Sequence, residues 1–174
     1  AGAPGQGVGV GLARLSPRPR VPGSLQGVTE LHELTALELA AAIRRREVSP
    51  VEVAGHVAER ADRLGTQVGA FVTMTPELAL EQARAAEALL ASGEAPPPLL
   101  GVPCPIKDLA RVARVPWSMG SAAFAGQVAD VDDGVVTLLR RAGTIMVGKT
   151  TTPEFGLPCY TEPDIAAPAR TPWD

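Results

Sequence analysis

Helical periods alternate with short apolar runs along most of this chain, and that alternation limits the fold more than any other feature. "TALELAAAIRRRE" opens with Thr35 and carries Glu38 three residues later, the spacing of a capping box. Ala36, Leu39, Ala40 and Ile43 follow at helical intervals. "SPVEVAGHVAERADRL" repeats the plan, with Ser49 as cap, Pro50 at the first helical position and Glu52 closing the box. Its apolar face is Val53, Val57, Ala61 and Leu64. "VGAFVTM" (68–74) is a short strand. "TPELALEQARAAEALLASG" is a third helix with Ala79, Ala83, Ala86 and Leu90 on one face, ended by Gly93. "DDGVVTLLRRAG" is a fourth, capped by Asp132 or Asp133, with Val135, Leu138, Leu139 and Ala142 inward. "TIMVGK" then reads as a buried strand. Helices alternating with strands predict an α/β fold, a sheet covered by helices.

Hydrophobic residues make up 45% of the 174 and aromatics 3%, so the core is aliphatic. A net charge of −3 gives no electrostatic case for nucleic acid as a partner. No apolar run is long enough to span a bilayer, which predicts no membrane partner. Cys104 and Cys159 fit no metal-ligand spacing and are expected as reduced, buried thiols of a cytoplasmic protein. Residues 1–28 are rich in Gly and Pro, contain Arg14, Arg18 and Arg20 and no acid, and are expected to form a disordered tail before a domain at 29–174. The start at Ala1 rather than Met points to an incomplete gene product.

Histidine offers no catalytic candidate. His56 falls on the charged face of its helix beside Glu52, Glu59 and Arg63, and His32 precedes the first helix without a partner. Both are expected at the surface, which leaves no histidine for a Ser-His-Asp triad.

Residues 143–150, "GTIMVGKT", match the phosphate-loop pattern G-x-x-x-x-G-K-T. That loop needs strand, flexible loop, then helix. Here Gly143 closes a helix, Thr144 to Val147 are strand-like, and Pro153 turns the residue before it away from helix. Nucleotide binding is therefore not expected.

Lys107 is the better chemical candidate. In an extended "GVPCPIKDL", Val102, Cys104 and Ile106 share one face while Pro103, Pro105 and Lys107 share the other. The prolines place the segment at a sheet edge. A lysine at the end of so stiff an approach is expected to be partly desolvated, and desolvation disfavours the charged form. A neutral lysine can act as general base toward a serine. The alternatives are a lysine whose stem packs while its ammonium reaches water, and an Asp108 that merely pairs with a cation.

The span from about Leu34 to Asp174 resembles the N-terminal part of an amidase signature family enzyme. The matching pieces are "LTALELAAAIRRREVSPVEV", "GAFVTMTPELALEQARAAE", "PLLGVPCPIKDL", "MGSAAFAG", "DDGVVTLLRRAGTIMVGKTTTPEFG" and "PARTPWD", in family order and spacing. The resemblance implies a mixed sheet with helices around it. It also implies a hydrolase of carbon–nitrogen bonds other than peptide bonds that acts on a small-molecule amide through a Ser-cisSer-Lys triad, with no metal or organic cofactor. Lys107 matches the catalytic lysine. Gly156 and Leu157 match a segment that lines the acyl pocket in relatives.

The family's Gly-Gly-Ser-Ser-Gly-Gly stretch follows the segment matched here by "PARTPWD", with the nucleophilic serine further on, and this chain stops at Asp174, short of both. Ser16, Ser24, Ser49, Ser92, Ser118 and Ser121 lie in no such context. Ser118 and Ser121 are expected as structural or substrate-side loop serines. The expectation is a truncated enzyme, with an incomplete fold and no turnover alone. The alternatives are one component of a tRNA-dependent amidotransferase or a non-catalytic interaction module.

Overall fold

The computed structural model describes residues 30–173. The expected tail at 1–28 lies outside the described residues. Four helices and three strands follow in chain order: α1 (Ala36–Arg44), α2 (Pro50–Arg60), β1 (Phe71–Met74), α3 (Pro76–Ser92), β2 (Pro103–Lys107), α4 (Gly134–Arg141) and β3 (Ile145–Thr150). A single π turn, Ala61–Gly65, extends α2.

Both capping boxes form. Thr35 and Ser49 each accept from the backbone of the Glu three residues on, and each Glu side chain returns to the cap's N–H. The backbone N–H of Thr35, joined by its hydroxyl, holds the Glu38 carboxyl below its usual range. Gly93 ends α3 in the left-handed region at φ 82°.

The sheet is mixed, in the order β1-β3-β2. β1 runs antiparallel to β3, and β2 runs parallel to it. β3 is the central strand, and all of it is buried but its last residue. Alternate residues of β3 enter different clusters. Ile145 and Val147 meet Ala54 of α2 and Ala79 and Ala83 of α3. Met146 joins Ile106 of β2, Val136 of α4, and Val112 and Val115 of the loop after β2. A third cluster joins Leu39, Ala42 and Ile43 of α1 to Val53 of α2.

Three expectations about faces need correction. Ala36 is exposed, and α1 buries Leu39, Ala40, Ala42 and Ile43. In α4, Val135 and Leu138 are 54% and 64% exposed, whereas Val136 is buried and Leu139 partly so. One stripe of α4 reaches Ile106 and Met146, and the i, i+3 pair Val136 and Leu139 occupies it. Cys159 is exposed, and Cys104 only partly buried; burial raises the Cys104 thiol above its usual range.

His32 does have a partner. Its Nδ1 lies 3.1 Å from His56 Nε2, and the rings stack at 5.3 Å. Among the described residues, no helix is long and apolar enough to cross a membrane.

Candidate active site

The carboxyl ends of the parallel strands β2 and β3 lie side by side, the usual place for ligands in α/β sheets. Lys107 is the last residue of β2, and its ladder partner is Thr150, the last residue of β3. The alternation expected at the end of β2 is present: Ile106 is buried, while Pro105 and Lys107 are exposed. The described residues do not desolvate Lys107. Among the described residues nothing covers the face of β2 that Lys107 shares with Pro105, so its side chain is exposed.

The buried lysine is Lys149, within the segment that resembles a phosphate loop. β3 runs through Ile145–Thr150, so the backbone there is ladder and not loop. Lys149 Nζ donates to Asp108 Oδ1 at 2.6 Å, and the two side chains are 0% and 2% exposed. Asp108 Oδ2 accepts from the backbone N–H of Ser118 at 3.1 Å and also from the Ser118 hydroxyl. Asp108 thus does pair with a cation. Pairing it with Lys149 takes the parallel register of two strands about forty residues apart, which no local motif encodes.

The loop after β2 is tied to α4 by two carboxylates. Asp132 Oδ1 accepts from the Ala113 N–H at 2.8 Å, and Asp132 also pairs with Arg140 at 2.7 Å. Asp133 stands at the N-cap of α4 but makes no side-chain cap bond. It accepts instead from the backbone and guanidinium of Arg111. Those contacts, the backbone one foremost, hold its carboxyl below the usual range.

Two left-handed turns meet beside this loop. Met119 and Gly120 have φ of 54° and 72°, and Phe155 and Gly156 have 52° and 73°. Phe155 N donates to Met119 O at 2.8 Å. A Cβ on Gly120 would sit 2.6 Å from Thr152 O, and one on Gly156 would sit 2.9 Å from Leu109 Cδ1. Glycine at these positions therefore satisfies both the dihedral and the close approach. Ser121 Oγ donates to Glu154 Oε1 at 2.6 Å, joining the turns again. Ser118 and Ser121 both engage in hydrogen bonds within these loops.

Gly156 and Leu157 are both exposed, Leu157 at 82%. Gly156 packs against Leu109, two residues beyond Lys107. Trp117, Phe124 and Phe155 contact edge to face at 5.5 and 6.0 Å. These are three of the six aromatic residues of the chain, gathered where the two turns meet. A shallow open groove adjoins them, lined by Gly120, Ala122, Glu154, Tyr160, Glu162 and Asp164 among others.

Known proteins resemble this chain over most of its length. The family model Amidase matches residues 52–174. A Synechocystis sp. protein named "Putative amidase" is 40% identical over 149 residues, covering 84% of this chain and 29% of that protein. A component of the glutamyl-tRNA(Gln) amidotransferase of Salinispora arenicola is 39% identical over 147 residues, covering 84% and 30%. Among solved structures, 6-aminohexanoate cyclic dimer hydrolase in complex with substrate aligns with a TM-score of 0.73 at 26% identity, over 84% of this chain and 29% of that one. The chain thus spans about 30% of the length of these proteins.

Proposed function

Because the chain belongs to the Amidase family, we propose that it carries the general base of an amide hydrolase, and that this base is Lys107. The observation that carries the reading is the place of Lys107. It leaves the carboxyl end of a parallel strand, on the open face, while the next residue is anchored in the interior.

The reaction needs two serines, and none of the six in this chain lies in a Gly-Gly-Ser-Ser-Gly-Gly stretch. In a complete domain of this family both would lie outside the part, about 30%, that the chain spans. The nucleophilic serine oxygen attacks the amide carbonyl carbon. Its proton passes through the bridging serine to the neutral amine of Lys107. The proton then goes to the departing nitrogen as the C–N bond breaks, leaving an acyl-serine that water cleaves. Cover over the open face of β2 would exclude water from this transfer. Gly156 and Leu157, on the turn beside Leu109, would contact the acyl part of a small-molecule amide. A cytoplasmic setting suits the free thiols Cys104 and Cys159.

The test is trapping of the acyl-enzyme. With the full-length protein and an aryl amide, added hydroxylamine should divert the acyl group to a hydroxamate. Absence of both hydrolysis and hydroxamate across a panel of aryl and alkyl amides would contradict the proposal.

A second reading has its own support, since relatives named as components of glutamyl-tRNA(Gln) amidotransferase are 37–40% identical. In that case ammonia would replace water as acceptor of the acyl group. Copurification with further protein components, and formation of glutaminyl-tRNA, would favour it.

A further inference from the structure

The mechanism proposed for Lys107 leaves two buried charges beside it without a role. Lys149 and Asp108 are almost wholly withdrawn from water, which residues of these types rarely are. Desolvating an ion pair is often costlier than the attraction returned, and an apolar pair of similar volume is frequently as stable. Stability alone is thus a weak reason for charges here. What charges do, and an apolar pair does not, is aim hydrogen bonds and set the local field.

The aim is legible at residue 108. Its N–H donates to Thr150 O at 3.1 Å, and its carbonyl accepts from Met119 N at 3.2 Å. One carboxylate oxygen takes Lys149, and the other takes Ser118 twice. Every polar atom of Asp108 is therefore engaged. Lys107 precedes it, and Thr150, the ladder partner of Lys107, follows Lys149. The ion pair thus joins the two residues adjacent to the Lys107–Thr150 rung, and it fixes how Lys107 leaves the strand.

The field matters because a base must shed its proton. A lone carboxylate nearby favours the ammonium form of a lysine, and a lone ammonium favours the neutral form. Together they carry no net charge. The other charged groups around the pair have partners of their own. Asp133, which senses Lys149, is paired with Arg111, and Asp132 with Arg140, while the exposed Glu154 accepts from the neutral Ser121 hydroxyl and keeps its charge toward solvent.

We infer that Asp108 and Lys149 are positioning residues for Lys107, a charge-neutral buried pair that directs the base and leaves no net charge beside it. The inference rests on the reading of Lys107 as the base. It is tested in the full-length protein by kcat/KM against pH for wild type, Lys149→Met, Asp108→Asn, the double variant and Lys107→Ala. Lys149→Met should move the acidic limb of the profile up by roughly one pH unit, and Asp108→Asn should move it down. The double variant should return the limb to the wild-type position, with kcat per folded enzyme at least about tenfold lower because the anchor is gone. The double variant leaves no unpaired buried charge, so it carries the test if the single variants do not fold. Folded single variants whose limbs coincide with that of wild type, or a double variant with wild-type kcat, would overturn the inference. Activity retained in Lys107→Ala would be a separate result, removing the reading beneath it.

Discussion

Lys149 Nζ lies 2.6 Å from Asp108 Oδ1, and this sealed contact joins the ends of β2 and β3 one residue away from Lys107. Removing one partner strands the other charge in the interior. Lys149→Met should destabilise the full-length protein by about 3–5 kcal/mol. Asp108→Asn with Lys149→Met should cost less than Lys149→Met alone, although it changes more atoms. Denaturant unfolding of both variants checks the order, and a double variant less stable than the single one contradicts it.

The two left-handed turns give a prediction with an internal control. Gly120 and Gly126 have φ of 72° and 82°, but only Gly120 has a backbone oxygen where a Cβ would go. Gly126→Ala should cost about 1–2 kcal/mol for the dihedral alone. Gly120→Ala should cost clearly more, since Thr152 O would have to move. Equal changes in thermal midpoint would mean that the turns are not packed as described.

Asp133 links stability to pH. Its folded-state carboxyl is held below the ordinary range by Arg111, so its contribution is complete above the ordinary carboxylate range. It is lost as pH falls through the lowered folded value. Asp133→Asn should therefore be less stable than wild type at neutral pH, and the difference should shrink on acidification. A difference that grows toward low pH reverses the sign and contradicts the contact.

Apolar surface should dominate the behaviour of the 174-residue chain alone. Leu37, Val135, Leu138 and Leu157 are all more than half exposed. We expect the isolated chain to bind hydrophobic dyes and to associate in a concentration-dependent way. A sharp two-state melt without dye binding would contradict this.

Local chemistry makes much of this architecture readable from the sequence. Thr35 with Glu38 and Ser49 with Glu52 mark helix starts through contacts three residues apart, and Ala79, Ala83 and Ala86 mark a buried face by helical spacing. The β3 strand is legible because Ile145 to Val147 are apolar and Gly143 precedes them. Long-range registers are not legible. Lys149 meets Asp108 across 41 residues and His32 meets His56 across 24, and neither pair has a spacing signature. The inward stripe of α4 differs from the expected one because Val135 and Val136 are equally apolar, and only packing on Met146 and Ile106 separates them. The segment around Lys107 singles that residue out, but its exposure depends on what covers β2, which the local sequence does not specify.

The most direct test is the rate of amide hydrolysis by full-length Lys107→Ala beside wild type, with unfolding curves for both. The substitution should leave the full-length protein folded while kcat/KM falls by about a thousandfold or more. A folded Lys107→Ala protein that hydrolyses the amide at the wild-type rate would contradict the account.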